Sequence, residues 1–208
     1  MIDISTTDVS TERSECPDLG PLIGSRICHD LISPIGAISN GVELLMMGGA
    51  AQSPEMALIM ESVAHANARI RFFRVAFGAA TGDQRIGTTE VTSILSDMTR
   101  GGRLLVSWQA PSDLLRAEVK QAFLALMCME TAMPWGGRVS ISHEQGGWQV
   151  LGKSARLRLD ADLWGALSQG SLPPTQNPAM VHFLMLASEA TTRPLRVDTA
   201  EDRIEIRF

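Results

Sequence analysis

From Ile27 to Leu45 the apolar residues Ile27, Leu31, Ile35, Ile38, Val42 and Leu45 recur three or four apart, the spacing that gathers side chains on one stripe of an α-helix. The stripe runs to about Met47 and stops at Gly48-Gly49, because glycine tolerates the left-handed geometry of a helix C-terminus. Ser53-Pro54-Glu55 then reads as an N-cap followed by a proline and an acid in the first turn of a second helix. Its apolar residues Met56, Ile59, Val63, Ala66, Ile70, Phe73 and Phe77 keep the same spacing up to Gly78. The two helices predict an antiparallel hairpin. A lone hairpin cannot bury its apolar seam, so it either docks on the rest of the chain or pairs with a second copy in a dimeric four-helix bundle.

Thr81-Gly82-Asp83-Gln84 breaks the helical pattern, and a different organisation follows. Residues 88–100 predict a short helix and RLLVSWQ, from Arg103 to Gln109, a strand. Ser112-Asp113 suits the cap of a helix carrying Val119, Phe123, Leu126 and Met127 to about Met133, where Pro134 stops it. Three alternating runs, RVSIS, WQVL and ARLRL, are separated by glycines and predict a meander. Asp160 to Leu167 and Ala179 to Ala190 predict helices on either side of a proline-rich loop, and PLRVD with RIEIRF a terminal hairpin. The fold class is α+β: a helical hairpin followed by an α/β sandwich. The expected organisation is a disordered tail over 1–16, the hairpin over 17–80, a linker over 81–87 and the sandwich over 88–208.

Composition narrows the partners. A hydrophobic share of 45% in 208 residues is ample for a packed core, and a net charge of -5 argues against a phosphate-backbone-binding surface, so nucleic acid is not expected. Cys16, Cys28 and Cys128 have neither disulfide-framework nor metal-ligand spacing, which fits a reduced cytoplasm. The polar first residues lack the apolar core of a signal peptide, and no apolar run reaches the ~18 residues of a membrane span.

One position stands out against this background. At ~100° per residue, His29 falls roughly 165° from the centre of the first helix's apolar stripe, so it should face water or a partner. It is a surface histidine, half of a metal-dependent phosphohydrolase site with His65, or a phosphoryl carrier with or without ATP as donor. An exposed imidazole is a competent nucleophile near neutral pH, and Asp30 next to it can hold one ring nitrogen while the other attacks phosphorus. Pro34 removes a helix hydrogen bond just beyond, and Gly36, Ala37 and Gly41 leave room for another protein to approach.

HDLISP followed by IGAISNGVELL resembles the H-box of the dimerisation and histidine-phosphotransfer domain of sensor kinases, and more closely the ChpT-type histidine phosphotransferases. RIRFFRVAFG, from Arg69 to Gly78, resembles the end of that family's second helix, and residues 88–208, with LMCMETAMPWGGRVSIS at their centre, look like a degenerate kinase ATPase domain. Set against the kinase pattern, the positions of two metal-holding asparagines carry Leu124 and Cys128, neither a ligand for a hard cation. Where the family's adenine-contacting Asp-x-Gly-x-Gly segment belongs, this chain has QVLGKSARLRL. Gly101-Gly102, Gly136-Gly137 and Gly146-Gly147 lack the Lys-Ser/Thr of a P-loop and read as turns.

The resemblance therefore implies a phosphorelay intermediate rather than a kinase. His29 takes phosphoryl from the aspartyl phosphate of one receiver domain, such as that of a hybrid histidine kinase, and passes it to the receiver domain of a response regulator. Magnesium comes with the receiver, so no cofactor of the chain's own is implied. Asp30 orients the imidazole, and Ser33, Gly36, Ala37 and Asn40 are candidates for the receiver-docking surface. Arg69, Arg71 and Arg74 return to about the level of His29 in an antiparallel hairpin, where they attract phosphate, with Arg71 in the receiver-binding set, or are solvated helix charges or links to the second domain. Phe72 falls off the second helix's stripe, so either the C-terminal domain or a receiver covers it. A dimeric scaffold that binds receivers or kinases without carrying phosphate is the alternative.

Overall fold

The computed structural model of the protein describes residues 54–78, 80, 82–144, 147–190 and 195–208, together with 23, 26, 27, 30, 31, 34–38, 40, 41, 44 and 45. Of the positions singled out above, the 1–16 tail, Cys28, His29, Ser33, Val42, Met47, Gly48-Gly49, the Ser53 cap, Thr81, Gly146 and Pro194 lie outside the described residues. Every described position between 23 and 45 is helical. The next helix, α1, is Pro54–Ala76, with Glu55 in its first turn and Arg74 in its last, each charge matched to the helix dipole. A Cβ at Gly41 would run into the side chain of Ile59 and lie 3.2 Å from the Glu55 carbonyl oxygen, so glycine is what lets the earlier helical turns approach α1 there.

Strand β1 (Arg85–Gly87) leads into α2 (Thr88–Thr99), β2 (Leu104–Gln109), β3 (Asp113–Leu115) and α3 (Arg116–Ala132). Two expectations fail in this stretch. Residues 85–87, the end of the expected linker, form a strand paired antiparallel with β3. Ser112-Asp113 does not cap the helix: the Asp113 carboxylate takes the Arg85 Nε donor at 2.6 Å, and α3 starts only at Arg116, whose amide donates to the Gln84 carbonyl at 2.7 Å. Residues 113–115 are extended in the ladder with β1, so the helix starts beyond them.

The remaining strands are β4 (Gly137–Glu144), β5 (Gly147–Lys153), β6 (Arg196–Thr199) and β7 (Arg203–Arg207), with helices α4 (Ala161–Gln169) and α5 (Val181–Glu189) between β5 and β6. They form a mixed five-stranded sheet in the order β2-β4-β5-β7-β6. Only β2 and β4 run parallel, which demands a crossover, and α3 supplies it. ARLRL is not the third strand of a meander. Both neighbours of β5 are already taken by β4 and β7, so no edge is open to it. Its backbone instead crosses the end of α3, where the Arg158 amide donates to the Ala132 carbonyl at 2.9 Å.

Val139, Ile141, Val150, Ile204 and Ile206 point from the sheet to the helix layer and are fully buried. Alternation sends Arg138, Lys153 and Arg203 to the opposite face, where they are exposed. Helix α3 lies between the sheet and the other helices, so it is buried nearly all round: besides Val119, Phe123, Leu126 and Met127, both Leu124 and Cys128 are fully enclosed. The architecture is α+β, with the helices on one side of a mixed sheet.

Candidate functional site

The helical turns from Ile23 to Leu45 are tied to the C-terminal core at their beginning. Ile23 and Ile27 pack against it, and Arg26 Nη1 donates to the Ala179 carbonyl at 3.3 Å. One turn on, Arg26 Nη2 lies 2.9 Å from Asp30 Oδ2, an i,i+4 pair with both side chains largely shielded from water. The predicted orienting acid thus has a cationic partner on its own helix. Sequence reading passed over Arg26, although opposite charges four apart were visible.

Asp30, Pro34 and Ala37 line a cavity of about 410 Å³ whose opposite wall is Ser62, His65 and Arg69 of α1, closed by Asp97 and Arg100 at the end of α2. Two of the predicted docking residues lie beside it in open positions: Asn40 is exposed, and a Cβ built on Gly36 would meet nothing within 4 Å. Ala37 is half-buried on the cavity wall.

Two basic side chains of α1, Arg69 and Arg71, reach the C-terminal domain. Arg69 Nη2 and Nη1 donate to the two carboxylate oxygens of Glu130 at 3.0 and 3.5 Å. Arg71 donates to Asp97 Oδ2 at 2.8 Å and to the Ser93 hydroxyl at 3.2 Å, and Asp97 takes Arg100 at 2.8 Å through its other oxygen. The Arg74 carbonyl accepts from Arg116 Nη2 at 2.7 Å. Of the roles open to Arg71, the link to the second domain is the one these contacts show.

Phe72 requires a correction as a receiver-binding residue. It is fully buried, with its ring stacked on Phe123 of α3 at 4.6 Å between centroids and 5° between planes. No partner protein can reach it without unfolding that contact. The off-stripe position did signal a second cover, and the cover is the C-terminal domain.

The other described histidines differ in reach. His65 is exposed on the cavity wall. The His143 ring packs edge-on to Trp148 at 4.9 Å. His182 is fully buried, its Nε2 3.0 Å from the Thr131 hydroxyl, and burial first and the Arg26 charge second push its pKa down from 6.5 to about 3. It stays neutral and out of reach. Burial also raises the Cys128 thiol pKa well above its ordinary value. Among the described residues no cluster of three or more His, Cys, Asp or Glu is placed to hold a metal, and no helix is long and apolar enough to cross a membrane.

Residues 88–203 match the family model of the histidine phosphotransferase C-terminal domain. The protein phosphotransferase ChpT of Brucella abortus (strain 2308) is 36% identical over 197 residues, covering 89% of this chain and 92% of that protein. The chain belongs to the ChpT-type histidine phosphotransferases. A bacterial phosphotransferase of known structure superimposes with a TM-score of 0.76 at 31% identity, over 91% of this chain and 95% of the other. This phosphotransferase therefore shares its C-terminal domain with the family, and its role is that of a histidine phosphotransferase in a phosphorelay.

Proposed function

We propose that His29 is the phosphoryl-carrying residue and that receiver domains dock on the helical face around it. The observation that carries this reading is the openness of Gly36 and Asn40. They follow His29 by seven and eleven positions, which helical arithmetic puts on the same face. An imidazole nitrogen of His29 attacks the phosphorus of a receiver's aspartyl phosphate in line. The new N–P bond forms as the P–O bond to the aspartate breaks, and the carboxylate leaves. The reverse step on a second receiver completes the relay. Most of the catalysis comes from positioning and from charge neutralisation by the receiver, which contributes the magnesium.

Asp30 orients the imidazole, and Arg26 fixes Asp30 in turn. Ser33, Gly36, Ala37 and Asn40 form the docking surface. Arg71 and Phe72 support it indirectly by joining α1 to the C-terminal domain. That domain is a degenerate ATPase domain that needs no nucleotide: Leu124 and Cys128 bring no oxygen ligand and are sealed in the core.

The helices of 17–80 form an antiparallel hairpin and dimerise as a four-helix bundle in the cytoplasm. Supporting this, apolar side chains remain uncovered on both helical stretches of the single chain, among them Ile35 at 57% exposure and Met60 at 64%, with Leu44, Val63 and Ile70 beside them. Incubating the protein with a phosphorylated receiver domain tests the assignment. The wild type should take up label and His29→Ala should take up none while remaining folded; label on the variant would return the scaffold reading to favour.

A further inference from the structure

The outer face of the sheet carries an arrangement that folding alone does not account for. The strand register places Leu105 of β2 beside Arg138 of β4, Arg138 beside Lys153 of β5, and Lys153 beside Arg203 of β7. Three cations therefore stand side by side on strands ~4.8 Å apart, and like charges directly opposite one another destabilise a sheet. Among the described residues none of the three makes an ion pair. Two of the three, Arg138 and Lys153, line a shallow cavity of about 620 Å³, whose rim adds Arg103 and Arg156 against the single acid Asp202. The same basin exposes two apolar side chains, Leu105 at 59% and Trp135 at 48%, and the Arg156 guanidinium lies 4.1 Å above the Trp135 ring.

We infer that this face docks an acidic helical segment of a partner protein, separately from the phosphoryl-transfer surface. Carboxylates at i and i+4 on a helix stand ~5–6 Å apart, close to the strand spacing, so one helix laid across β4, β5 and β7 meets the three cations in turn. Leu105 and Trp135 give an apolar side chain of that helix a seat, which a sugar-phosphate backbone would not use. The chain's net charge of -5 also opposes a densely charged nucleic acid while tolerating a short acidic segment. The ladder faces away from the helix layer that carries Asp30 and the 410 Å³ cavity, so occupation of one surface leaves the other open.

The test uses the full chain and a fluorescein-labelled, alanine-based peptide of about 18 residues with three glutamates at successive i,i+4 positions and a leucine one turn beyond. Fluorescence anisotropy should show saturable binding that weakens as sodium chloride rises from about 0.02 M to about 0.3 M. The glutamine version of the peptide should not bind. Arg138→Glu with Lys153→Glu should weaken binding at least about tenfold, and Trp135→Ala should weaken it at every salt concentration. Lys153→Glu alone should raise the thermal midpoint, by turning a repulsive neighbour into an attractive one, and should leave phosphoryl uptake from a receiver unchanged. Binding untouched by the double reversal overturns the proposal. So does binding only to single-stranded DNA or to phosphatidylserine vesicles, or a Lys153→Glu protein no more stable than the wild type.

Discussion

Phe72 and His182 are the residues whose surroundings say most about how the two parts of the chain are joined. Phe72→Ala removes a fully buried ring stacked on Phe123 and should cost about 3–5 kcal/mol, read as a lower urea midpoint. Its helical-wheel position already showed that it needed a cover; only the tertiary contact showed which one. His182 contributes through pH. Its folded pKa of about 3 lies below the ordinary 6.5, so the folded state resists protonation. The stability it confers is complete above pH 6.5 and is lost as pH falls toward 3, with a slope of at most about 1.4 kcal/mol per pH unit. Thermal melts between pH 7 and pH 4 should show that loss, and His182→Gln should flatten it. Nothing in the sequence marks this histidine, because its environment is made by Arg26 and Thr131, far away along the chain. At the proposed site, Asp30→Asn should keep receiver docking but slow transfer by up to about 10²-fold, measured by single-turnover phosphoryl uptake. An undiminished rate would remove Asp30 from the orienting role.

Among the elements, the helix α1 has the first of the two covers that the sequence presented as alternatives, the rest of its own chain, and leaves other apolar residues open. One side is covered within the chain by α2 and α3, through Phe72, Phe73 and Val75; another leaves Met60, Val63 and Ile70 open. Val63→Asp therefore separates the two. It should leave the single chain folded, since the position is already exposed, and should break the proposed dimer, since a carboxylate in an apolar layer costs several kcal/mol. Light scattering at about 50 µM would read this directly, and a wild type that is monomeric there would contradict the bundle. Strands and helices with strong periodicity were legible: β2, β4, β5, α4 and the terminal β6–β7 hairpin all fall where alternation or caps put them. The failures, ARLRL and Ser112-Asp113, share one cause. Each had the right local pattern, but both sides of β5 were already paired, and the pairing of β3 with β1 claimed the second.

At the scale of the whole molecule, the helices and one face of the sheet enclose a filled core. Leu124 and Cys128 lie sealed within α3, and the segment after β5 crosses the helix end instead of offering an acidic glycine turn. Calorimetric titration with magnesium and ATP should give no saturable heat, and a micromolar dissociation constant would contradict this account of residues 88–208. Arg69, Arg71 and Phe72 tie that domain to α1. The family could be read from the H-box and the AMPWGG turn, and the Arg26–Asp30 pair from its i,i+4 spacing; the cavity beside it and the cationic ladder needed three dimensions. The central claim is that phosphoryl passes through His29. The measurement that meets it most directly is mass spectrometry of the wild-type protein after exposure to a phosphorylated receiver domain, with the fragments kept at alkaline pH to preserve phosphohistidine. A single acid-labile phosphate on the peptide carrying His29 is the predicted result; phosphate on His65 or His143 instead, or on no histidine, would contradict it.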